Sequence, residues 1–222
     1  MEVSIIVPIY NPNWKLLNKI LDSIKNQKFE GKKEVIKVEK GLGLAESLNY
    51  GIKNSKYNII VTVHQDCIPQ SKDWLKKLIH PLKNQKVVAS VSDVYDTETK
   101  KIYTPLLDEK GCAYKKEALF KVGLFNERYF RTGGEDMDMY LKLKKIGKIA
   151  YPHCLIKHHH KGYLINKSKY KIMQNANSFG CLFRIWGVKL PNWWKGLLLA
   201  NPFNPYYAYA FWKGFLMKKQ TI

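Results

Sequence analysis

Short β-branched runs alternate with amphipathic segments along the first part of this chain, and that alternation constrains the fold more than any other feature of its 222 residues. Val3-Ser4-Ile5-Ile6-Val7-Pro8 reads as a buried strand stopped by proline. The turn Tyr10-Asn11-Pro12-Asn13 then leads into Trp14, Leu17, Ile20, Leu21 and Ile24, whose spacing of three and four gives one apolar helix face. The pattern repeats as a strand over residues 34–39, a glycine turn at Gly41 and Gly43, a helix over 44–53 and a strand over 58–64. Such spacing predicts right-handed βαβ units and a mostly parallel sheet flanked by helices. Ligands of these sheets sit beyond the carboxyl ends of the strands. Two polar stretches fall there, Pro8-Ile9-Tyr10-Asn11 and His64-Gln65-Asp66-Cys67-Ile68-Pro69.

Further along, a helix starting near Ser71 carries Trp74, Leu75, Leu78 and Ile79 and closes at Pro81, and residues 87–95 read as one strand. Beyond it the alternation weakens. Residues 102–107 read as extended and 117–122 as a short helix, so the second half is expected to decorate the sheet as α+β structure. The length suits one domain. No basic, apolar and small-residue signature opens the chain, so a cytoplasmic protein is expected. Cys67, Cys112, Cys154 and Cys181 are scattered without a CxxC pair, which predicts buried, reduced thiols rather than a zinc or redox motif.

The net charge of +20 implies attraction to polyanions. Only Arg128, Arg131 and Arg184 are arginines, whereas base readout and planar phosphate clamps favour arginine. No zinc finger, RRM signature or basic-region heptad is present, so specific nucleic-acid binding is not expected.

Three places concentrate polar chemistry. Gly133-Gly134-Glu135-Asp136-Met137-Asp138 crowds three carboxylates at the start of a helix in a chain with only 18 acidic residues. Helix capping accounts for such carboxylates at about 0.3–1 kcal/mol each. The glycine pair adds close backbone approach or positive φ, which suits a carboxylate on the floor of a site. Asp66 ends an apolar strand, where a charge must be solvated, paired or bound to a metal. His158-His159-His160 lies in an extended segment, so His158 and His160 point to one face and His159 to the other. The triple reads equally as a solvated surface.

In order along the chain, Val3 to Asn11, Gly43-Leu-Ala-Glu-Ser-Leu-Asn49-Tyr-Gly51, His64-Gln-Asp66-Cys-Ile-Pro69, Gly111-Cys-Ala-Tyr-Lys-Lys-Glu-Ala-Leu with Val122-Gly-Leu-Phe-Asn-Glu, and Gly134-Glu-Asp136-Met-Asp together resemble the family 2 glycosyltransferases of the GT-A fold, most closely their rhamnosyltransferase-like branch. The resemblance spans about residues 3–160. It implies inverting transfer of a sugar from a nucleoside diphosphate donor to a hydroxyl of a glycan or lipid-linked acceptor. Pro8, Ile9, Tyr10 and Asn11 would line the nucleoside pocket, with Glu39 as a further polar contact, and Asn49 and Gln65 would lie beside the donor. Asp66 would hold Mn²⁺ or Mg²⁺ on the diphosphate, and His158 would complete the metal site, with His64 and His160 as alternatives. Asp136 would be the general base and Glu135 would serve the acceptor side, leaving Asp138 as a cap-type structural carboxylate. Two departures stand out. The usual Asp-x-Asp has His64 at its first position, and the stretch after the second strand is shortened to Glu39-Lys40-Gly41-Leu42-Gly43.

Between residues 179 and 215 aromatic side chains interleave with Arg184, Lys189, Lys195 and Lys213. Asn201-Pro202 and Asn204-Pro205 break any apolar run long enough to span a bilayer. The composition suits a peripheral contact with an anionic membrane; a helical cap on the catalytic domain and a dimer contact are the other readings. The expected organisation is a GT-A catalytic domain over 1–165, with a nucleotide-binding half over about 1–95 and an acceptor-side half over about 96–165, and a helical extension over 166–222. Two other functions compete. A sugar nucleotidyltransferase would need a glycine-rich, arginine-bearing loop where Pro8-Ile9-Tyr10-Asn11-Pro12 stands, and a non-catalytic binding relative would have no use for Glu135-Asp136.

Overall fold

The computed structural model describes residues 1–39, 43–130, 133–159, 169–189 and 205–217. Its elements are β1 (Val3–Pro8), α1 (Trp14–Lys25), β2 (Lys33–Val38), α2 (Leu44–Lys53), β3 (Ile59–Val63), β4 (Cys67–Pro69), α3 (Trp74–Ile79), β5 (Val87–Val91), β6 (Asp93–Asp96), β7 (Lys101–Tyr103), β8 (Gly111–Lys115), α4 (Lys116–Lys121), α5 (Glu135–Lys144), β9 (Lys148–Ala150), β10 (Leu155–His158), α6 (Lys169–Trp186) and α7 (Pro205–Leu216).

A six-stranded sheet in the order β2-β1-β3-β8-β5-β9 forms the centre. Its pairings are parallel except those of β8, which runs antiparallel between β3 and β5. Helices cover both faces because β1 and β3 are apolar on both. Leu17, Ile20 and Ile24 of α1 pack with Trp74, Leu75 and Leu78 of α3 on one side. Leu48 and Ile52 of α2, Leu119 of α4 and Met139 and Leu143 of α5 close the other. Helix α2 lies so close to β1 that a Cβ on Gly51 would stand 2.5 Å from Cγ2 of Ile6.

Two expectations are corrected here. Residues 87–95 are not one strand: β5 belongs to the central sheet, and after Ser92 the chain enters β6 of a separate four-stranded sheet ordered β4-β10-β6-β7. The second half is not mere decoration either, since β8 occupies an inner place in the central sheet and β9 its edge. Its sequence, Gly-Cys-Ala-Tyr-Lys, lacks the β-branched signal, and tertiary pairing overrides that weak propensity.

Helices α6 and α7 pack together where both carry small residues. A Cβ on Gly180 would fall 2.0 Å from the Phe211 carbonyl oxygen, and one on Gly214 would fall 2.0 Å from that of Asn177. Among the described residues no helix is long and apolar enough to cross a membrane. Replacing Gly51 by Ala gains up to about 1 kcal/mol in helix propensity and loses about 1–3 kcal/mol to overpacking against Ile6. Gly51→Ala is therefore expected to lower the urea midpoint, and an unchanged midpoint would show that α2 can lift off β1 without penalty.

Candidate active site

The small sheet assembles the first polar cluster. Strand β10 lies between β4 and β6, with His158 opposite Cys67 on one side and Asp96 on the other. His158 is buried; its Nε2 stands 3.4 Å from Oδ2 of Asp66 and its Nδ1 3.7 Å from Oδ2 of Asp96. Asp96 is held by its own turn, its Oδ1 accepting from the backbone N–H of Glu98 (3.0 Å) and Thr99 (2.8 Å) and from the Thr99 hydroxyl (3.1 Å). The backbone N–H of His159 donates to the Asp66 carbonyl at 2.8 Å, fixing the β4 side of the pair.

Burial alone would raise the Asp66 carboxyl, but the bonded His158 imidazole and nearby His64 outweigh it and hold the group below the usual carboxylate range. Burial, reinforced by the Lys110 ammonium, pushes His64 down to about 4, so its imidazole is neutral at physiological pH. Its Nε2 is buried and has no hydrogen-bond partner among the described residues. The Cys67 thiol lies within reach of the same pair. Burial and then Asp66 push that thiol well up, so it stays protonated and donates to Oδ1 of Asp66 at 3.4 Å. The donor set on offer is thus the Asp66 carboxylate with the His158 imidazole and the neutral His64 imidazole nearby, which suits a divalent ion such as Mn²⁺ better than a thiophilic metal. Asp96 stands behind His158, on the Nδ1 side of its ring, away from Asp66. The sequence reading passed over Asp96 because nothing in Asp93-Val94-Tyr95-Asp96 announces that β6 will pair with β10.

The second cluster surrounds the start of α5. Gly133 and Gly134 both take positive φ, 87° and 92°, and a Cβ on Gly134 would press within 3.0 Å of the Phe130 ring and 3.3 Å of Leu182. The glycines therefore turn the chain tightly into the helix against α6. Gly134 is the N-cap and offers no side chain, and Asp136 supplies the first-turn acceptor, its Oδ1 taking the Met137 N–H at 2.7 Å. Glu135 is buried, and its Oε2 has no hydrogen-bond partner among the described residues. Burial and then Asp136 push Glu135 up to about 7. Burial and then Asp108 raise Asp136.

Asp108, Glu109 and Lys110, in the turn before β8, went unnoticed in the sequence. Asp108 and Lys110 are ion-paired at 2.6 Å with both side chains largely buried. Glu109 is 2 % exposed, and burial followed by Asp136, Glu135 and Asp108 pushes it well up. The Asp108–Lys110 pair acts electrostatically on His64 and on Asp136 alike, so it stands between the two clusters. A crowd of carboxylates with one internal cation leaves them competing for protons.

The remaining predicted residues divide. Tyr10 is 66 % exposed, and its backbone exchanges two hydrogen bonds with the Gln65 side chain, Tyr10 N–H to Oε1 at 2.8 Å and Nε2 to the Tyr10 carbonyl at 2.6 Å. Gln65 thereby ties the loop of Pro8, Ile9, Tyr10 and Asn11 to the turn carrying His64 and Asp66. Asn11 adopts φ 43° in that loop. Glu39 is exposed and lies 3.8 Å from Lys37. Asn49 is buried, its amide donating to the Phe125 carbonyl (2.8 Å) and to Glu127 (2.7 Å) and its oxygen accepting from Phe125 N–H (3.0 Å), which clamps α2 to the turn after α4. Asp138 makes tertiary contacts: it accepts from Trp186 Nε1 of α6 at 2.9 Å and pairs with Lys142 at 2.7 Å. His160 lies outside the described residues.

Residues 27–150, more than half of the chain, match glycosyl transferase family 2, and the chain belongs to that family. The fold is that of the GT-A glycosyltransferases. A mannosyltransferase, PcManGT from Pyrobaculum calidifontis, in complex with GDP-Man and Mn²⁺, superposes with a TM-score of 0.62 at 18% identity, covering 98% of this chain and 76% of that one. GalNAc-T7 with UDP, GalNAc and Mn²⁺ gives 0.63 at 14% identity, over 86% of this chain and 52% of that one. The catalytic domain of Drosophila β1,4-galactosyltransferase 7 with xylobiose gives 0.56 at 15% identity, over 75% and 73%. A comparison with curated proteins finds no match.

The Glu135 shift has a measurable consequence. Its folded-state value of about 7 exceeds the ordinary 4.5, so the folded protein binds more protons in that window. The associated stability is full below 4.5 and is lost as pH rises toward 7. Glu135→Gln is expected to make the fall in urea midpoint between these pH values shallower, and an unaltered slope would show that Glu135 ionises normally.

Proposed function

We propose that this member of the family is an inverting glycosyltransferase that moves a sugar from a nucleoside diphosphate donor to a hydroxyl of a glycan or lipid-linked acceptor. The observation that carries the reading is the environment of Asp136, a carboxylate at the mouth of α5 whose affinity for a proton is raised by burial and by Asp108. A general base works best when its proton affinity approaches the operating pH. The acceptor oxygen bonds to the anomeric carbon as its proton passes to Asp136. The bond from that carbon to the diphosphate oxygen breaks, and the nucleoside diphosphate leaves with both electrons. A single displacement inverts the anomeric configuration.

Asp66 and His158 are the residues that would hold a divalent metal, with His64 in reserve, and when bound it neutralises the diphosphate leaving group. The imidazole donors, and the Mn²⁺ complexes formed by two structurally similar proteins, favour Mn²⁺. Pro8, Ile9, Tyr10 and Asn11 would receive the nucleoside on a loop that Gln65 holds against the metal-side turn, with Glu39 beyond them. Glu135, whose proton affinity is raised to near neutrality, would in its protonated form donate a hydrogen bond toward the acceptor side. Residues 1–165 form the catalytic unit in this scheme.

Asp136→Asn is expected to lower transfer by at least about 100-fold while leaving calorimetric donor affinity nearly unchanged; a parallel loss of donor affinity would remove Asp136 from the base role. Transfer should also decline as pH falls and Asp136 takes up its proton. Screening UDP-, dTDP- and GDP-sugars with Mn²⁺ identifies the base. With the donor so found, Asp66→Ala should abolish the gain in affinity that Mn²⁺ confers, and donor binding indifferent to both chelator and substitution would take the metal out of the scheme.

A further inference from the structure

Helix α7 turns one face inward and exposes side chains on the other. Ala208, Phe211 and Gly214 are buried against α6, whereas Tyr206 (56 %), Tyr209 (63 %), Trp212 (45 %) and Leu216 (66 %) are exposed. These four recur at spacings of three, three and four, so they share one face of the helix. Beside Tyr209 opens a cleft of about 330 Å³ between α6, α7 and the turn at Arg128 and Tyr129. Its walls include Met173 and Met217, its rim carries Arg128 and Lys213, and no acidic residue lines it. Glu127, next in sequence to Arg128, is drawn to the other side by Asn49. Every one of the 18 acidic residues lies at or before Asp138, so the carboxyl-terminal part of the chain bears positive charge alone.

We propose that this face docks on an anionic lipid bilayer, with Tyr206, Tyr209, Trp212 and Leu216 entering the headgroup layer and the Arg128–Lys213 cleft taking a phospholipid headgroup. Tyrosine and tryptophan suit that depth because their rings are apolar and their N–H and O–H remain wet. The cations supply what the aromatic face lacks, selectivity for negative lipid. A dimer interface is disfavoured by the same charge, since two copies would bring like-charged rims together. The face is also placed for use: α6 carries Leu182 against Gly134 and Trp186 against Asp138, so the docked helix pair backs directly on the helix that bears Asp136. As the place where a lipid-linked acceptor is met, it rests on the transfer reading above; the binding itself does not.

The test is flotation of the full chain with phosphatidylcholine vesicles, with and without phosphatidylglycerol. Binding is expected only with the anionic lipid and should fall with added salt. Tyr209→Ser with Trp212→Ser should weaken it roughly tenfold or more, and Arg128→Gln and Lys213→Gln about fivefold each. Hydrogen exchange on the unmodified chain should show vesicle-dependent protection in residues 205–217, which keeps the test decisive if a variant misfolds. No flotation, undiminished flotation of folded variants with no protection in 205–217, or an aromatic variant that only dissociates a dimer would overturn the proposal. Donor affinity measured on the same samples separates the two readings. Donor binding without flotation sinks the docking face alone, and flotation without donor binding sinks the transfer reading alone.

Discussion

The site depends on the passage of the chain from one sheet to the other at Ser92. Its N–H is bonded to the Gly111 carbonyl, at the start of the reversed central strand β8, and the next N–H, that of Asp93, is bonded to Cys154, just before β10. The Ser92 hydroxyl accepts from the indole of buried Trp74 at 3.0 Å, so the junction is anchored in the core. Had β5 simply continued, β6 would not exist and β10 would have no parallel partner. His158 would then lack both Asp96 and the register that sets it against Cys67 and Asp66. A pair of backbone hydrogen bonds thus decides whether the metal-side cluster forms.

Electrostatics on the acceptor side follow from confinement. Glu109, Glu135 and Asp136 are packed where burial disfavours their charged forms; Asp136 raises Glu109 and Glu135, and Asp108 raises all three. Lys110 is the internal cation, and it is already engaged by Asp108. The arrangement holds Asp136 more basic than an exposed aspartate while Lys110 prevents the shift from running further. The same ammonium helps keep His64 neutral. One ion pair therefore tunes both halves of the site, and it sits in a turn with no motif to mark it.

Local pattern made the first half of the fold legible. Val3–Pro8, Leu44–Lys53 and the apolar faces of α1 and α3 follow periodicities that depend on near neighbours; the first two fall at the expected bounds and α3 begins three residues later than expected. What pattern could not reveal is pairing at long range. The split of residues 87–95, the inner place of β8 and the roles of Asp96 and Asp108 all rest on partners far away in sequence. Asn49 shows the opposite case, in which a motif position was legible but its hydrogen-bond partners were not. An Asn-x-Gly near a donor reads as a ligand contact, whereas its amide closes three hydrogen bonds to a turn that the sequence does not show to be adjacent. The carboxylate run was legible as a helix start with chemistry in it, yet the separation of its members required the tertiary neighbours of each.

That separation joins the extension to the catalytic helix. Asp138, two residues after Asp136, accepts from Trp186, and Lys145 from the end of α5 lies 4.3 Å from the same indole ring. Trp186 therefore grips α5 at both ends of its inner face. Leu182, one turn earlier on α6, packs where Gly134 leaves no room for a Cβ. Gly133 and Gly134 take positive φ, which glycine adopts without steric cost, and the close contacts of Gly134 with Phe130 and Leu182 tie the turn that presents Glu135 and Asp136 to α6. An aromatic helix that looked like an appendage in composition is, at its inner face, part of the support of the helix that carries Glu135 and Asp136.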